Sequence, residues 1–406
     1  MKHRDCATWL AYSGLLVALF SLTSGRATTG DVAPGKTPTG KADETVAAEI
    51  AAIAKTGPQG AGSAAARQAR DELAGRGVEI LPQLLVAMDT SNVVAANWYR
   101  TVYEEIVARS LASSDVAWPR DIMTEYIGDA RRAGRPRRLV LDLLERLEPG
   151  FRENWLPTRL DDSEFRYEAV SRALAAGETA LREKEAERAK AEFRKAFENG
   201  CDSAQVTQAA NNLKALGEPA DVIGHLGLVV EWWLVGPFDA PEKTGFSQTF
   251  PPESKVDLAA AYKGQSGEIR WARHSVKDTL GQLDLNQALG TTREAVAYAY
   301  AEIDVPQEQP AQLRCGADDN CSVWTNGRKV LAREQWLNGT RFDRFITSIT
   351  LKAGRNTLLV KVCQGPQHKD PEVPNNWTVQ LRLCDDAGRG VAFRSLLPAV
   401  QAGGGE

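Results

Sequence analysis

Acidic side chains are the chemistry-bearing groups that this chain sets closest together. Glycoside hydrolysis needs two carboxyl groups about 5 to 10 Å apart, and three sets invite that reading: Glu302 with Asp304 alternating on one strand face, Asp318 beside Asp319, and Asp385 beside Asp386. Adjacent turn aspartates point apart and usually satisfy local N–H groups as Asx turns. Asp318 and Asp319 also suit calcium, which takes hard oxygens from carboxylates and loop carbonyls, so both are candidate metal ligands. Histidine adds nothing to catalysis here. Beyond the first residues it occurs only at His225, His274 and His368, far apart, without a GxSxG elbow or an HExxH helix. His225 is expected to contact a helix end and the other two to be solvated. No acid, base or nucleophile is identified, and the chain is expected not to be an enzyme.

Sugar recognition on a sheet asks for an exposed ring beside polar groups, because the C–H face of a pyranose packs on the ring while its hydroxyls take hydrogen bonds. Trp232, Trp233, Trp271, Trp324, Trp336 and Trp377 all fall in the C-terminal part, and most of them must be core. Trp336, in the polar stretch EQWLNGTRFD, and Trp377, after the loop PQHKDPEVPNN, are the candidate ligand-binding rings. Asn376 and Asn326 are their candidate polar partners.

The elements that must position these groups start with Leu313 to Val330 (LRCGADDNCSVWTNGRKV), which reads as a β-meander. Asn326-Gly327 marks a hairpin, since both central positions of a type I′ turn need positive φ. Gly316 to Asn320 is expected to form another turn, carrying the two aspartates. Short strands are expected around it: Val229 to Val235, Glu268 to Arg273, Val296 to Val305, Gln312 to Cys315, Cys321 to Thr325, Arg328 to Leu331, Ile346 to Leu351, Thr357 to Cys363 and Trp377 to Cys384. Before Gly227 the period is helical. Ala47, Ile50, Ala51 and Ile53 line a first helix, Ala66, Ala69 and Leu73 a second, and an apolar-Pro start at Ile80-Leu81-Pro82 repeats at Trp155-Leu156-Pro157. At Leu160 to Glu164, Asp161 is placed to cap a helix and Glu164 to close a capping box. The expected architecture is therefore multidomain, α then β: a helical repeat domain over 43–227, then an antiparallel β-sandwich or jelly roll over 228–389.

With 406 residues and a net charge of −4, the chain offers no basic footprint for nucleic acid. Residues 1–27 combine a basic start, an apolar run and small residues at Gly25 and Ala27, which predicts a cleaved secretory signal. Export to the periplasm or outside the cell is expected, with no later membrane span. Residues 28–42 read as a disordered linker. The formal Walker A match inside it, Gly30 to Thr37, lacks a preceding strand and a following helix. Cys201, Cys315, Cys321, Cys363 and Cys384 follow the signal, leaving disulfides or buried free thiols equally open, and their spacing argues against zinc. Residues 390–406 are expected to be a flexible tail.

The run WWLVGPF, GFSQTFPPE, ADDNCSVWTNGRKV, ITLKAGRNTLLVKV and NWTVQLRL resembles a galactose-binding-like jelly roll. Such modules are appended to secreted proteins and glycosidases of planctomycete-type bacteria, often after helical repeats, and WLPTRLDDSEFRYEAVSRAL resembles a HEAT-type repeat. The Asp-Asp pair followed by Trp324 and Asn326-Gly327 is also similar to the protective-antigen-type module, in which paired aspartates can hold calcium and a sugar. This chain departs from that pattern at Asn320-Cys321, where those modules have glycine. The resemblance implies a non-catalytic exported protein that recognises carbohydrate or a cell-surface ligand through the sandwich loops. The alternatives are a scaffold whose helical repeats contact a protein partner and, behind it, a polysaccharide-degrading enzyme.

Overall fold

The computed structural model describes residues 41–396 except 337, 338, 371 and 374. The expected signal, nearly all of the expected linker and residues 397–406 lie outside the described residues. Helices α1 (Lys41–Ala54), α2 (Ser63–Ala74), α3 (Leu81–Met88), α4 (Val93–Leu111), α5 (Arg120–Gly128) and α6 (Gly134–Leu147) close around one core that includes Ile53, Leu73, Leu84, Val102 and Val140. After α7 (Phe151–Trp155), a second cluster forms where α8 (Arg166–Arg182), α9 (Ala186–Asn199) and α10 (Ser203–Ala215) bury Val170, Phe193 and Leu213. Asn92 and Asp202 cap α4 and α10, each carboxyl or amide oxygen accepting two backbone N–H bonds from the first turn.

The expected cap at Asp161 is not formed. Asp162 takes that place, accepting from the Glu164 N–H at 3.0 Å and pairing with the buried Arg137 guanidinium. A buried cation needs its counter-charge at hand, and Asp162 supplies it. Asp161 is exposed and meets Arg389 at 2.8 Å, while Glu164 pairs with Arg138 instead of closing a capping box.

After α11 (Val222–Leu226), Gly227 adopts a left-handed conformation (φ 67°) and the chain changes to strands. These are β1 (Glu231–Asp239), β2 (Ala261–Lys263), β3 (Glu268–Arg270), β4 (Ala272–Ser275), β5 (Leu283–Asp284), β6 (Ala295–Val305), β7 (Gln309–Asp318), β8 (Asn320–Thr325), β9 (Arg328–Arg333), β10 (Phe345–Leu351), β11 (Gly354–Gln364), β12 (Thr378–Cys384) and β13 (Arg394–Leu396). One antiparallel sheet runs β4-β1-β6-β11-β8-β9, and a second runs β10-β7-β12-β5. Their facing sides share a core: Ala297, Ala299, Val323, Val360 and Val362 from the first, Leu313, Cys315, Leu381 and Leu383 from the second. The alternation of small and bulky residues along β6 has a direct result. Its alanines face the partner sheet, and Val296, Tyr298 and Tyr300 face outward into an aromatic cluster with Trp233, Phe238, Phe250, Trp271 and Trp324.

Residues 391–396 depart from the flexible tail expected from 390 onward. Val391 is buried and donates to the Leu383 carbonyl at 2.9 Å, and β13 pairs with β6 over Glu302 to Asp304. The β1 ladder stops at Tyr300, so β13 covers the stretch of β6 that would otherwise be an open edge. The helices and sheets meet through Arg166, whose guanidinium donates to the Ala387 carbonyl at 3.0 Å, and through Arg382, which reaches the Leu226 carbonyl. His225 contacts the Gly200 carbonyl at the end of α9 at 2.7 Å. Among the described residues no helix is long and apolar enough to cross a membrane.

Candidate functional site

The expected Gly316 to Asn320 turn is shorter than the sequence suggested, because β7 continues to Asp318 and β8 begins at Asn320. Asp318 ends a strand of one sheet and Asn320 starts a strand of the other, so the two aspartates sit where the chain crosses between sheets. Both are buried, at 6% and 2% exposure. They do not point apart as adjacent turn aspartates would. The peptide joining them is cis, and the two carboxyl groups are hydrogen-bonded to each other. Burial, then the hydrogen bond and charge of Asp319, pushes the Asp318 carboxyl up to about 7, against weaker opposing help from the Gly339 N–H and Arg344. Below about pH 7 the pair therefore holds a proton.

Asp318 is covered by a stretch, residues 334–336 and 339–344, laid over the outer side of the second sheet. Asp343 clasps it, accepting from Arg314 at 2.8 Å and from Arg382 at 2.7 Å. Gly316 lets it lie close, since a Cβ there would fall 2.2 Å from the Arg341 carbonyl oxygen. Thr340 bonds Thr378, the residue opposite Asp318 in β12. On the other side Asp319 accepts from the Gly365 N–H at 3.0 Å. A Cβ on Gly365 would stand 2.7 Å from that carboxylate and 3.2 Å from the Trp336 ring, so carboxylate, loop backbone and half-buried indole converge.

Several buried amide atoms around this corner have no hydrogen-bond partner among the described residues. Asn320 accepts from the Gln335 N–H but its Nδ2 is unmatched; Gln364 donates to the Asn375 carbonyl but its Oε1 is unmatched; both polar atoms of Gln380, beside Gly316, are unmatched. Each is at most 3% exposed. Unmatched buried polar atoms are costly and uncommon. The oxygens present here, carboxylate and amide, are hard donors that suit calcium or magnesium far better than zinc. No group of three or more His, Cys, Asp or Glu gathers among the described residues, so a cation here would draw its charge compensation from the aspartate pair alone.

The remaining predicted residues scatter. Trp377 is a correction: it is fully buried in the core between the sheets, its Nε1 donating to the Val362 carbonyl at 3.3 Å, and it offers no face to a ligand. Its parity carried the signal, since Trp377, Val379, Leu381 and Leu383 alternate with Thr378, Gln380 and Arg382. Asn326 sits at the far end of β8 from the aspartates, and its amide is spent on the hairpin, bonding the Asn356 side chain at 2.8 Å and the Thr357 N–H at 3.0 Å. Asn376 is exposed, beside Asn375, on the loop that ends at the corner. Glu302 is held by Tyr300 at 2.6 Å and by Arg355, Asp304 pairs with Arg394, and Asp385 accepts from the Arg389 N–H, so none of the other carboxyl sets forms a facing acid pair. Among the described residues the cysteines are free, and Cys315, Cys321, Cys363 and Cys384 are buried.

Sequence reasoning missed the polar shell of Asn320, Gln364 and Gln380, because glutamine and asparagine in strands carry no pattern of their own. It also missed Lys361 and Glu253. They form a buried ion pair at 2.8 Å on the outer side of the first sheet, completed by Tyr298 and the Phe246 and Gln248 carbonyls.

No family model and no curated protein matches the chain. Among solved structures it is similar to the PA14 domain of the antifreeze protein MpAFP (13% identity, TM-score 0.19, 26% of this chain and 55% of that one). It is also similar to a GH2 β-galacturonidase from Eisenbergiella tayi (11%, 0.22, 38% and 25%) and a β-glucuronidase from an uncultured Clostridium (14%, 0.25, 39% and 29%). Each match spans less than two thirds of the other chain, and at these TM-scores the likeness is too weak to assign an activity.

Proposed function

We propose that this chain is a non-catalytic, exported binding protein that takes a carbohydrate at the Asp318–Asp319 corner, where the two carboxylates would hold calcium. The observation that carries the reading is the pairing of two buried like-charged groups beside a half-buried indole and unmatched amides. A divalent cation would replace the shared proton and relieve the repulsion. Calcium takes six to eight oxygens, so sugar hydroxyls and water would complete its shell, while Asn320 Nδ2 and Gln364 Oε1 supply a donor and an acceptor and Trp336 a ring. Within this reading the two sheets act as a jelly-roll module and the helical half as HEAT-like stacked pairs.

The test is a glycan array with the full chain in calcium and in chelator, beside Asp318→Asn and Asp319→Asn. Binding that needs calcium and vanishes in both variants supports the proposal. Silence on every glycan, or binding indifferent to chelator and to both substitutions, overturns it. A second reading, a scaffold, is favoured by a groove of about 460 Å³ between α3 and α5 that exposes Val86 and Ile122 beside Tyr126, Asp129 and Arg131.

A further inference from the structure

A different face of the sandwich carries its own signal. Strand β10, at one edge of the second sheet, has the sequence FITSITL, with no charge and no proline. Proteins usually blunt such edges with charged residues, proline or a bulge. Here the edge is straight, pairs residue for residue with β7 along its length, and leaves Ile346 49% exposed. Strand β9 is the edge of the other sheet, and the two edges border a groove of about 660 Å³. Thr325 is among the residues of this groove, is 5% exposed, and its buried hydroxyl has no hydrogen-bond partner among the described residues.

Charge indicates the occupant. Arg328, Lys329 and Lys352 line the groove with Thr347, Ser348 and Thr350, and no carboxylate is among the lining residues. Lys329 reaches Glu253 at 4.0 Å on the outer side of its sheet, whereas among the described residues Arg328 and Lys352 have no carboxylate partner. A second copy of this chain would bring the same cations edge to edge, which like-charge repulsion opposes. An extended acidic peptide meets both requirements: its backbone pairs with the free groups of β10, and its carboxylates meet Arg328 and Lys352.

We infer that the β10 edge is a docking site for an extended acidic segment of a partner protein, which adds as a strand in the groove between β10 and β9. The Asp318–Asp319 corner takes no part in it. Fluorescence anisotropy of the full chain with a labelled alternating Thr–Glu octapeptide tests the assignment. The comparison probes are the Thr–Lys peptide, the Thr–Glu peptide N-methylated at alternate residues, and polygalacturonate. The Thr–Glu peptide is expected to bind, the Thr–Lys peptide to fail, and N-methylation to weaken binding at least tenfold, because charge survives it but strand pairing does not. Arg328→Glu with Lys352→Glu should weaken Thr–Glu binding at least tenfold and admit the Thr–Lys peptide; Lys352→Gln, a milder change, should weaken it about threefold. Both sites are exposed, and a native circular dichroism melt shows that each variant is folded. Equal binding of the N-methylated peptide, preference for polygalacturonate, concentration-dependent dimerisation that blocks the peptide, or no Thr–Glu binding would each overturn it.

Discussion

Of the places where the sandwich buries charge, two are treated in opposite ways. On the outer side of the first sheet Lys361 faces Glu253, with Tyr298 and two carbonyls completing the shell. At the corner between sheets Asp318 faces another acid, and the amides around it are left unmatched. The first arrangement neutralises itself and fastens the segment 246–253 over the aromatic cluster. The second needs something from outside, a proton or a cation, to be neutral. A buried pair of opposite sign with every partner in place reads as architecture, whereas a like-charged pair with spare hydrogen-bonding capacity reads as a site.

The largest expected effect tests the architectural member. Lys361→Ala leaves the largely buried Glu253 with only the more distant Lys329 at 4.0 Å and should cost about 3–5 kcal/mol in denaturant unfolding. A loss no greater than that of an exposed lysine would make the two places alike.

Next comes pH, where the two places should respond with opposite sign. Asp318 is raised above its unfolded value, so its contribution is fully present below about pH 4 and is lost as pH rises to about 7, roughly 2–4 kcal/mol in all. Burial pushes Glu253 up, but the hydrogen bonds from Lys361 and Tyr298 outweigh it and hold the carboxyl below its ordinary value. Its contribution is therefore present above the unfolded pKa near 4 and lost as pH falls. Urea unfolding from pH 2 to 8 should show Asp318→Asn flattening the loss at the alkaline end and Glu253→Gln flattening the loss at the acid end. Identical profiles for the two variants would contradict the contrast.

Calcium sharpens it further. Because the cation competes with the shared proton, added calcium should raise the Tm by a few degrees at pH 8, less at pH 6, and not at all in Asp318→Asn; titration calorimetry at the two pH values reads the same difference. Trp336→Ala should have the smallest effect on stability, within about 0.5 kcal/mol since the ring is only half-buried, while weakening glycan binding about tenfold or more. Trp377→Ala, in the packed core, should instead cost about 3–5 kcal/mol.

Much of the β half is legible residue by residue. Asn326 takes φ 52° and Gly327 φ 78° in the hairpin that their types require, and most of the expected strands lie within the observed ones. Short β5 and β13 escaped because two or three residues carry too little periodicity to register. Asp318, Asp319 and Trp336 were legible as chemically suitable residues, yet their meeting was not. Trp377 was misjudged by the company of its loop when its parity with Val379 and Leu381 placed it inward.

By itself the sequence determined the change from a helical to a strand period near Gly227 and the central hairpin, because propensity, periodicity and turn chemistry act over a few neighbouring residues. Only the tertiary structure decided that Asp318 is buried, that its carboxyl meets that of Asp319, and that Gln380 lies unmatched nearby. Burial and electrostatics sum over every segment packed against a group, and the residues that decide these, 339–344, Gly365 and β12, come from distant parts of the chain.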